Sequence, residues 1–376
     1  MEEAKLLKEV ILANPQLSVL KLSYNTLGDE GAEIIASSLQ LPTGGHHTHL
    51  SILDLGFNSI GDCGCEAIAV HALAGNHNLQ TLCLSGNQIG EKGALSIAGA
   101  MLHGSTLLKL YLTANKIGPI GMKAIAGAVV KNDQLVATAE ADGMSKTVQS
   151  MQELHLGTTE MLSDGFLSIP AMLLTNKSLR MLCLGNNHFD DQDMIVLSQA
   201  LSQNKDVPLE TLRLSFNEIT CMGVEYVMNA IWGSKTLKEL KLDNNNIQDR
   251  GAQLCAVVLT SIALESLDLS LNRITTVGIK ALMKNISENM SLRTIGLTGI
   301  TIDQNASKAV AFALAFNSSL QAIYMDNCNA GYSAQRHIVA GVVSNRTSSL
   351  RVLAGFHLAR KSMLSSHVEC CSLTAY

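Results

Sequence analysis

Apolar positions recur along this chain at a fixed spacing. From Leu17 the residues read LSVLKLSYNTLGDEG. The same pattern, L-x-x-L-x-L-x-x-N-x-I/L-x-x-x-G, returns at Leu50 (LSILDLGFNSIGDCG), Leu79 (LQTLCLSGNQIGEKG) and Leu107 (LLKLYLTANKIGPIG). Met151, Leu179, Leu209, Leu237, Leu264, Leu292 and Leu320 open further copies, and Leu350 starts a fragment. The usual step is roughly 28 residues, the length of one repeated supersecondary unit. The L-x-L alternation has period two and predicts short strands at Val19–Leu22, Ile52–Leu55, Thr81–Leu84 and the same offset in later copies. The second half of each unit, such as GAEIIASSL or GALSIAGAML, places apolar residues at helical spacing. Small residues on that face let helix and strand layers approach. One such unit cannot bury both faces alone, and stacking buries a continuous core. The expected fold is an α/β solenoid of eleven strand–helix units, a right-handed horseshoe with parallel strands on the concave side and helices on the convex side.

Two polar columns run through the repeats. The first is Asn25, Asn58, Asn87, Asn115, Asn187, Asn217, Asn245 and Asn272. A side-chain amide carries both donors and an acceptor, so these residues suit backbone groups left open where each strand turns. Thr159, Ile300 and Cys328 stand in the same column. Ile300 cannot make those bonds, so the tenth unit is expected to be looser. The second column is glycine near each helix start, with Gly31, Gly64, Gly93 and Gly121 as its first members. It predicts close packing or a turn. These glycines match neither G-x-G-x-x-G nor G-x-x-x-x-G-K-S/T, so they are not phosphate loops.

The period breaks twice, near residues 42–49 and 131–150, and insertions in such arrays fall on one face, often the binding one. Residues 1–16 read as an amphipathic capping helix, 17–358 as the repeat domain, and 359–376 as a flexible tail. The start has no basic stretch followed by an apolar run, so a cytoplasmic protein is expected. No apolar run reaches the ~18 residues of a membrane helix. Nine scattered cysteines fit buried thiols in a reducing compartment. The net charge of −5 argues against a nucleic-acid binder. Only 16% of residues are charged and 47% are hydrophobic, which excludes disorder over most of the chain.

The unit Leu79–Leu102 resembles the ribonuclease-inhibitor-type leucine-rich repeat, L-x-x-L-x-L-x-x-N-x-I-x-x-x-G-x-x-x-L/I-A-x-A-L, almost position by position. The resemblance extends over about Leu17 to Leu358. It implies a non-enzymatic scaffold that binds another protein on its concave face and strand-to-helix loops. It implies no cofactor. Related arrays include the ribonuclease inhibitor, sensor arrays of nucleotide-binding immune receptors, Ran GTPase-activating protein and axonemal subunits. No nucleotide-binding module precedes these repeats, so an isolated array is expected rather than a complete immune receptor. A GTPase activator is the alternative activity. It rests on the segment from Leu110 to Pro119, LYLTANKIGP, where Asn115 would contact the partner. A ciliary or axonemal subunit is the alternative setting.

Strand pleating places the third, fifth, seventh and eighth residues of each unit on the concave side. The candidate partner-binding residues there are Tyr24, Phe57, Tyr111, His155, Arg213, Phe216, Glu239, Lys241, Asp243, Asp268 and Tyr324. Arg213, Lys241 and Asp268 form a charged strip with Glu239 and Asp243 beside it, either self-paired or facing a partner. Tyr24, Phe57 and Phe216 offer apolar anchors. His46, His47 and His49 lack the further ligands of a zinc site, so no metal is expected. His155 beside Cys183 lacks a pocket or oxyanion donor, so no catalytic residue is expected.

Overall fold

The computed structural model describes residues 2–39, 49–74, 76–102, 105–141 and 149–355. The insertion at 42–49 therefore lies outside the described residues except for His49, and the tail at 359–376 lies outside them entirely. The chain divides into two blocks. The first comprises Met1–Asn187 with Gln203–Leu209, and the second His188–Ser202 with Glu210–Tyr376.

In the first block the strands are Val19–Lys21, Ile52–Asp54, Thr81–Cys83, Lys109–Tyr111, Glu153–His155 and Met181–Cys183 (β1–β6). Each pairs in parallel with the next in chain order. The register sets Leu20, Leu53, Leu82, Leu110, Leu154 and Leu182 side by side, and all six are buried. In the second block Thr211–Arg213, Glu239–Lys241, Ser266–Asp268, Thr294–Gly296, Ala322–Tyr324 and Val352–Ala354 (β7–β12) pair in the same way. The strands end one residue earlier than the pattern predicts, although the sixth-position leucine still donates to the next strand, as Leu55 N does to Cys83 O at 2.9 Å. The fragment at Leu350 forms a full twelfth strand. Every crossover between successive strands carries a helix, as parallel pairing requires. The first insertion-bearing helix runs from Gly118 to Ala141, absorbing residues 131–141 of the second insertion. Residues 2–13 form a helix that packs on the next one, Gly28–Ser38.

The asparagine column is a hydrogen-bonded ladder. Asn87 Nδ2 donates to Leu84 O at 2.8 Å and to Leu55 O of the preceding unit at 3.0 Å. Its Oδ1 accepts from Asn58 N and Ile60 N, both at 3.0 Å. Asn115, Asn187, Asn245 and Asn272 repeat the donations to both leucine carbonyls. Asn58 does the same toward Leu22 and Leu55, and Asn217 bonds Leu214 O. Asn25 differs: it is exposed and bonds only Leu22 O and Ser23 O of its own unit. Thr159 Oγ1 donates to Leu156 O at 2.9 Å, and Cys328 Sγ to Leu297 O at 3.1 Å. Ile300 is buried, and its own N–H bonds Leu297 O at 3.2 Å.

A second ladder caps the helices. Asp29 Oδ1 accepts from Gly61 N and Gly64 N of the following unit, at 2.6 and 2.9 Å. Asp62 serves Gly90 and Gly93, Asp191 serves Thr220 and Gly223, and Asp249 serves Thr275 and Gly278. A carboxylate placed on open N–H groups at a helix start is favoured by charge and dipole alike. At one step the acceptor is a thiol: Cys221 Sγ takes Gln248 N at 3.3 Å and Gly251 N at 3.2 Å. Cys221→Asp should therefore raise stability by about 1 kcal/mol at neutral pH. The equivalent Asp249 carboxyl shows the sign. Burial pushes it up, but the bonds from Thr275 and Gly278 more than offset this and hold it below its usual value. A group with a depressed folded pKa stabilises above its unfolded value, about 3.9, and loses that effect as pH falls through the folded value. Urea unfolding of Cys221→Asp at pH 7 and in strong acid checks this, and an equal gain at both would rule out the carboxylate cap.

Candidate functional site

The odd positions of each strand stand on the face opposite the buried leucines. In the first block this face carries a linked polar cluster. Lys109 Nζ lies 2.6 Å from Glu153 Oε1, and Tyr111 OH donates to Glu153 Oε2 at 2.9 Å. Tyr111 and His155 stack at 4.2 Å between ring centroids, because β4–β5 register sets them directly opposite. Burial, then the hydrogen bond to Glu153, pushes the Tyr111 phenol well above its usual value, so it stays a neutral donor. Burial pushes the Glu153 carboxyl up, but Lys109 and Tyr111 outweigh it and the net direction is down. Glu153 and Lys109 were not singled out from the sequence. Their third-position register one strand apart was the available signal.

In the second block two members of the charged strip, Arg213 and Glu239, pair with each other. Arg213 grips Glu239 Oε1 through Nε at 3.0 Å and a terminal nitrogen at 2.9 Å. Ser215 Oγ donates to Asp243 Oδ1 at 2.6 Å. Burial pushes the Asp243 carboxyl up; Ser215 opposes this and Asp268 adds to it. Asp268 accepts from Ser270 N at 3.1 Å and lies across Gly296, whose missing Cβ leaves room for it. Lys241 stands between Arg213 and Asp268 in the register, and Tyr324 is exposed on β11.

The eighth position has a property the sequence reading missed. Its backbone is left-handed in unit after unit: Tyr24, Phe57, Gly86, Ala114, Thr158, Asn186, Phe216, Asn244, Leu271, Gly299 and Asn327 have φ between 53° and 74°. Glycine and asparagine suit this conformation, and bulky side chains are strained in it. Asn-Gly content in the column was the sequence signal. Tyr24 and Phe57 stack at 4.5 Å with planes 4° apart, and the far side of Phe57 covers Gly86. Tyr24 is 77% and Phe216 51% exposed. The two groups of candidate residues fall in separate blocks: Tyr24, Phe57, Tyr111 and His155 in the first, the others in the second.

Beside the long helix lies a cleft of about 610 Å³, lined by Asp133, Gln134, Gln149, Gln152 and Lys177 among others. Residues of the 131–150 insertion and of the neighbouring units share its lining. Asn115 does not face a partner: it is buried and its amide bonds Leu84 O and Leu112 O, while Oδ1 accepts from Ile89 N. That removes the contact on which the GTPase-activator alternative rested. The seven described cysteines are free thiols, and burial pushes Cys255 up to about 12. Among the described residues no group of His, Cys, Asp and Glu is arranged to hold a metal, and no helix is long and apolar enough to cross a membrane.

The family model described as Leucine Rich repeat matches residues 13–36, 46–69, 75–98, 103–126, 233–254 and 261–283. The ribonuclease inhibitor of Sus scrofa is 26% identical over 250 residues, covering 62% of this chain and 55% of its own length. The chain is a leucine-rich repeat solenoid similar to the ribonuclease inhibitor. NACHT, LRR and PYD domains-containing protein 14 of Homo sapiens is 25% identical over 292 residues. This leucine-rich repeat protein is covered over 73% of its length in that match and spans 27% of the relative. Among solved structures, an internalin from Listeria monocytogenes aligns with a TM-score of 0.50 at 16% identity, over 98% of this chain and 95% of its own. A chain of the yeast Rad7 and Elc1 complex aligns at 0.52 with 18% identity, over 86% and 72%. Both show the fold of this leucine-rich repeat protein. Arrays of this kind are in general binding scaffolds.

Proposed function

We propose that this protein is a non-enzymatic interaction scaffold whose open strand face and adjoining strand-to-helix loops hold another protein. The observation that carries this reading is the chemistry of the eighth column. The fold requires a left-handed residue there, and glycine or asparagine supplies it in Gly86, Asn186, Asn244, Gly299 and Asn327. Tyr24, Phe57, Phe216 and Leu271 place large apolar groups at the same strained position, with each at least partly open to solvent. Strain of order 1–2 kcal/mol at a residue that buries little is evidence of selection for something other than stability. An exposed ring on a rigid strand end is a suitable interface anchor. The relative's name, ribonuclease inhibitor, states a protein ligand, which supports the same reading.

Because Arg213 is held by Glu239, the anchors in the second block are Phe216 with Lys241, Asp243 and Asp268 on the next two units, and Tyr324 farther along on β11. The test separates binding from stability. A partner recovered by crosslinking in the native cell is titrated against Phe216→Asn. Affinity should fall at least about tenfold, the size of a modest hot spot. The melting temperature should hold or rise, because asparagine accepts the left-handed backbone. The control is the helix-face pair Lys123→Glu with Lys280→Glu. Loss of binding in that pair, with full binding by Phe216→Asn, would refute the surface assignment.

A further inference from the structure

The asparagine ladder of the second block breaks at Ile300, and the break leaves one kind of backbone group unserved. Where the ladder is intact, the Oδ1 of the column asparagine accepts a backbone N–H from the unit before it. Asn217 takes Phe189 N at 3.1 Å, Asn245 takes Ile219 N at 3.1 Å and Asn272 takes Ile247 N at 3.0 Å. The next N–H in this series is that of Ile274. The residue in the column position opposite it is Ile300, whose side chain has no acceptor. Among the described residues no hydrogen bond is made by Ile274 N, although Ile274 is only 4% exposed. The carbonyl side of the same break is filled. Leu297 O accepts from Ile300 N at 3.2 Å and from Cys328 Sγ at 3.1 Å, and Leu269 O accepts from Asn272 Nδ2 at 2.9 Å. What the break lacks is therefore an acceptor.

A cleft of about 400 Å³ opens at this point, between the strand-to-helix turns of the ninth and tenth units. Arg273, Ile274, Thr276, Gly299, Thr301 and Asp303 line it. The carboxylates at these turns are already engaged. Asp303 Oδ1 accepts from Ala306 N at 2.7 Å and Asn305 N at 2.8 Å, and Asp249 Oδ1 from Thr275 N at 2.7 Å and Gly278 N at 2.9 Å. Arg273 is exposed, and among the described residues no ion pair or hydrogen bond holds its guanidinium. The neighbouring wall is apolar: Leu271 is 48% exposed and lies over Gly299, where a Cβ would stand 2.6 Å from Leu271 Cδ2.

We propose that this cleft receives a carboxylate side chain of the protein partner, one oxygen accepting from Ile274 N–H and the other from Arg273. A carboxylate answers both groups at once, whereas the single oxygen of a carboxamide leaves the guanidinium without a counter-charge. The partner residue beside that acid is apolar, since it meets Leu271. One carboxylate on one guanidinium binds only weakly by itself, so the rest of the affinity has to come from a larger molecule spread over the adjoining loops. That the larger molecule is a protein rests on the scaffold reading above. The test below uses no partner, so either reading can fail alone.

The full chain is titrated with N-acetylglutamate amide, whose only charge is the side-chain carboxylate, and the Ile274 backbone amide is followed by NMR. Its proton resonance should move downfield and saturate. N-acetylglutamine amide should bind about tenfold more weakly, the scale of one charge-assisted hydrogen bond. Arg273→Gln should weaken the glutamate probe by a similar factor. Ile300→Asn rebuilds the ladder, so its Ile274 amide should stand downfield already and ignore the probe. No response of Ile274 to the glutamate probe overturns the proposal. Equal binding of the two probes overturns the carboxylate, and a response in Ile300→Asn equal to the parent's overturns the broken ladder as the site. If Ile300→Asn does not fold, Arg273→Gln decides, because undiminished binding by that variant at an exposed position refutes the proposal as well.

Discussion

Asn245→Ala should lower the unfolding free energy by about 3 kcal/mol. The side chain serves four groups at once: Nδ2 donates to Leu214 O, Leu242 O and Asp243 O at 3.0, 3.0 and 3.2 Å, and Oδ1 accepts from Ile219 N at 3.1 Å. The residue is buried, so water cannot replace these bonds. Each buried group left without a partner costs roughly 1–3 kcal/mol, and not all four are lost outright, because the leucine carbonyls sit at strand ends. The neighbour Asn244 supplies the control. Its backbone is left-handed at φ 53°, so alanine there would add strain and confuse the comparison. Asn244→Gly keeps that conformation and should change stability by less than about 0.5 kcal/mol. Urea denaturation of both variants decides the matter. Equal shifts would place the ladder one residue from where it is drawn.

The repeat made most of the fold legible. Period-two leucines located each strand to within a residue, and the asparagine column was readable because one side chain type solves the same backbone problem in each unit. Two features were not. The carboxylate ladder joins residues about thirty positions apart, Asp62 to Gly93 for example, and only the stacked geometry shows that they meet. The left-handed column was hidden because Tyr24, Phe57 and Phe216 do not look like residues for that conformation. Reading the column across units, where glycine and asparagine recur, would have exposed them. Of the candidate surface, the exposure of Tyr24, Phe57 and Phe216 was legible. The pairing of Arg213 with Glu239 was not, since both a partner and a neighbouring strand could satisfy that guanidinium. The face of the first block was under-read for the same reason: Glu153 gathers Lys109 and Tyr111 only because two short strands come into register.

The glycines give a contrast in which one substitution changes sign with location. Gly341 lies in the helix Tyr332–Ser344, where a Cβ would stand 2.3 Å from Ala311 O and 2.7 Å from Ala311 Cα of the helix Gln304–Phe316. The obstructing atoms are backbone, so no side chain can rotate away and the two helices must part. Overpacking of this kind costs about 1–3 kcal/mol or more. Alanine's better helix propensity returns about 1 kcal/mol. Gly341→Ala should therefore destabilise by about 2 kcal/mol, toward the upper end of that overpacking range because the clash is with main chain. Gly99 lies in the helix Glu91–Met101, and a Cβ there meets nothing within 4 Å. With no clash to oppose it, Gly99→Ala should stabilise by about 1 kcal/mol. Thermal and urea unfolding of the two single variants, read against the parent, test the pair together. If Gly341→Ala proved as stabilising as Gly99→Ala, the close approach of the last two helices would be wrong, and with it the packing that carries the twelfth strand.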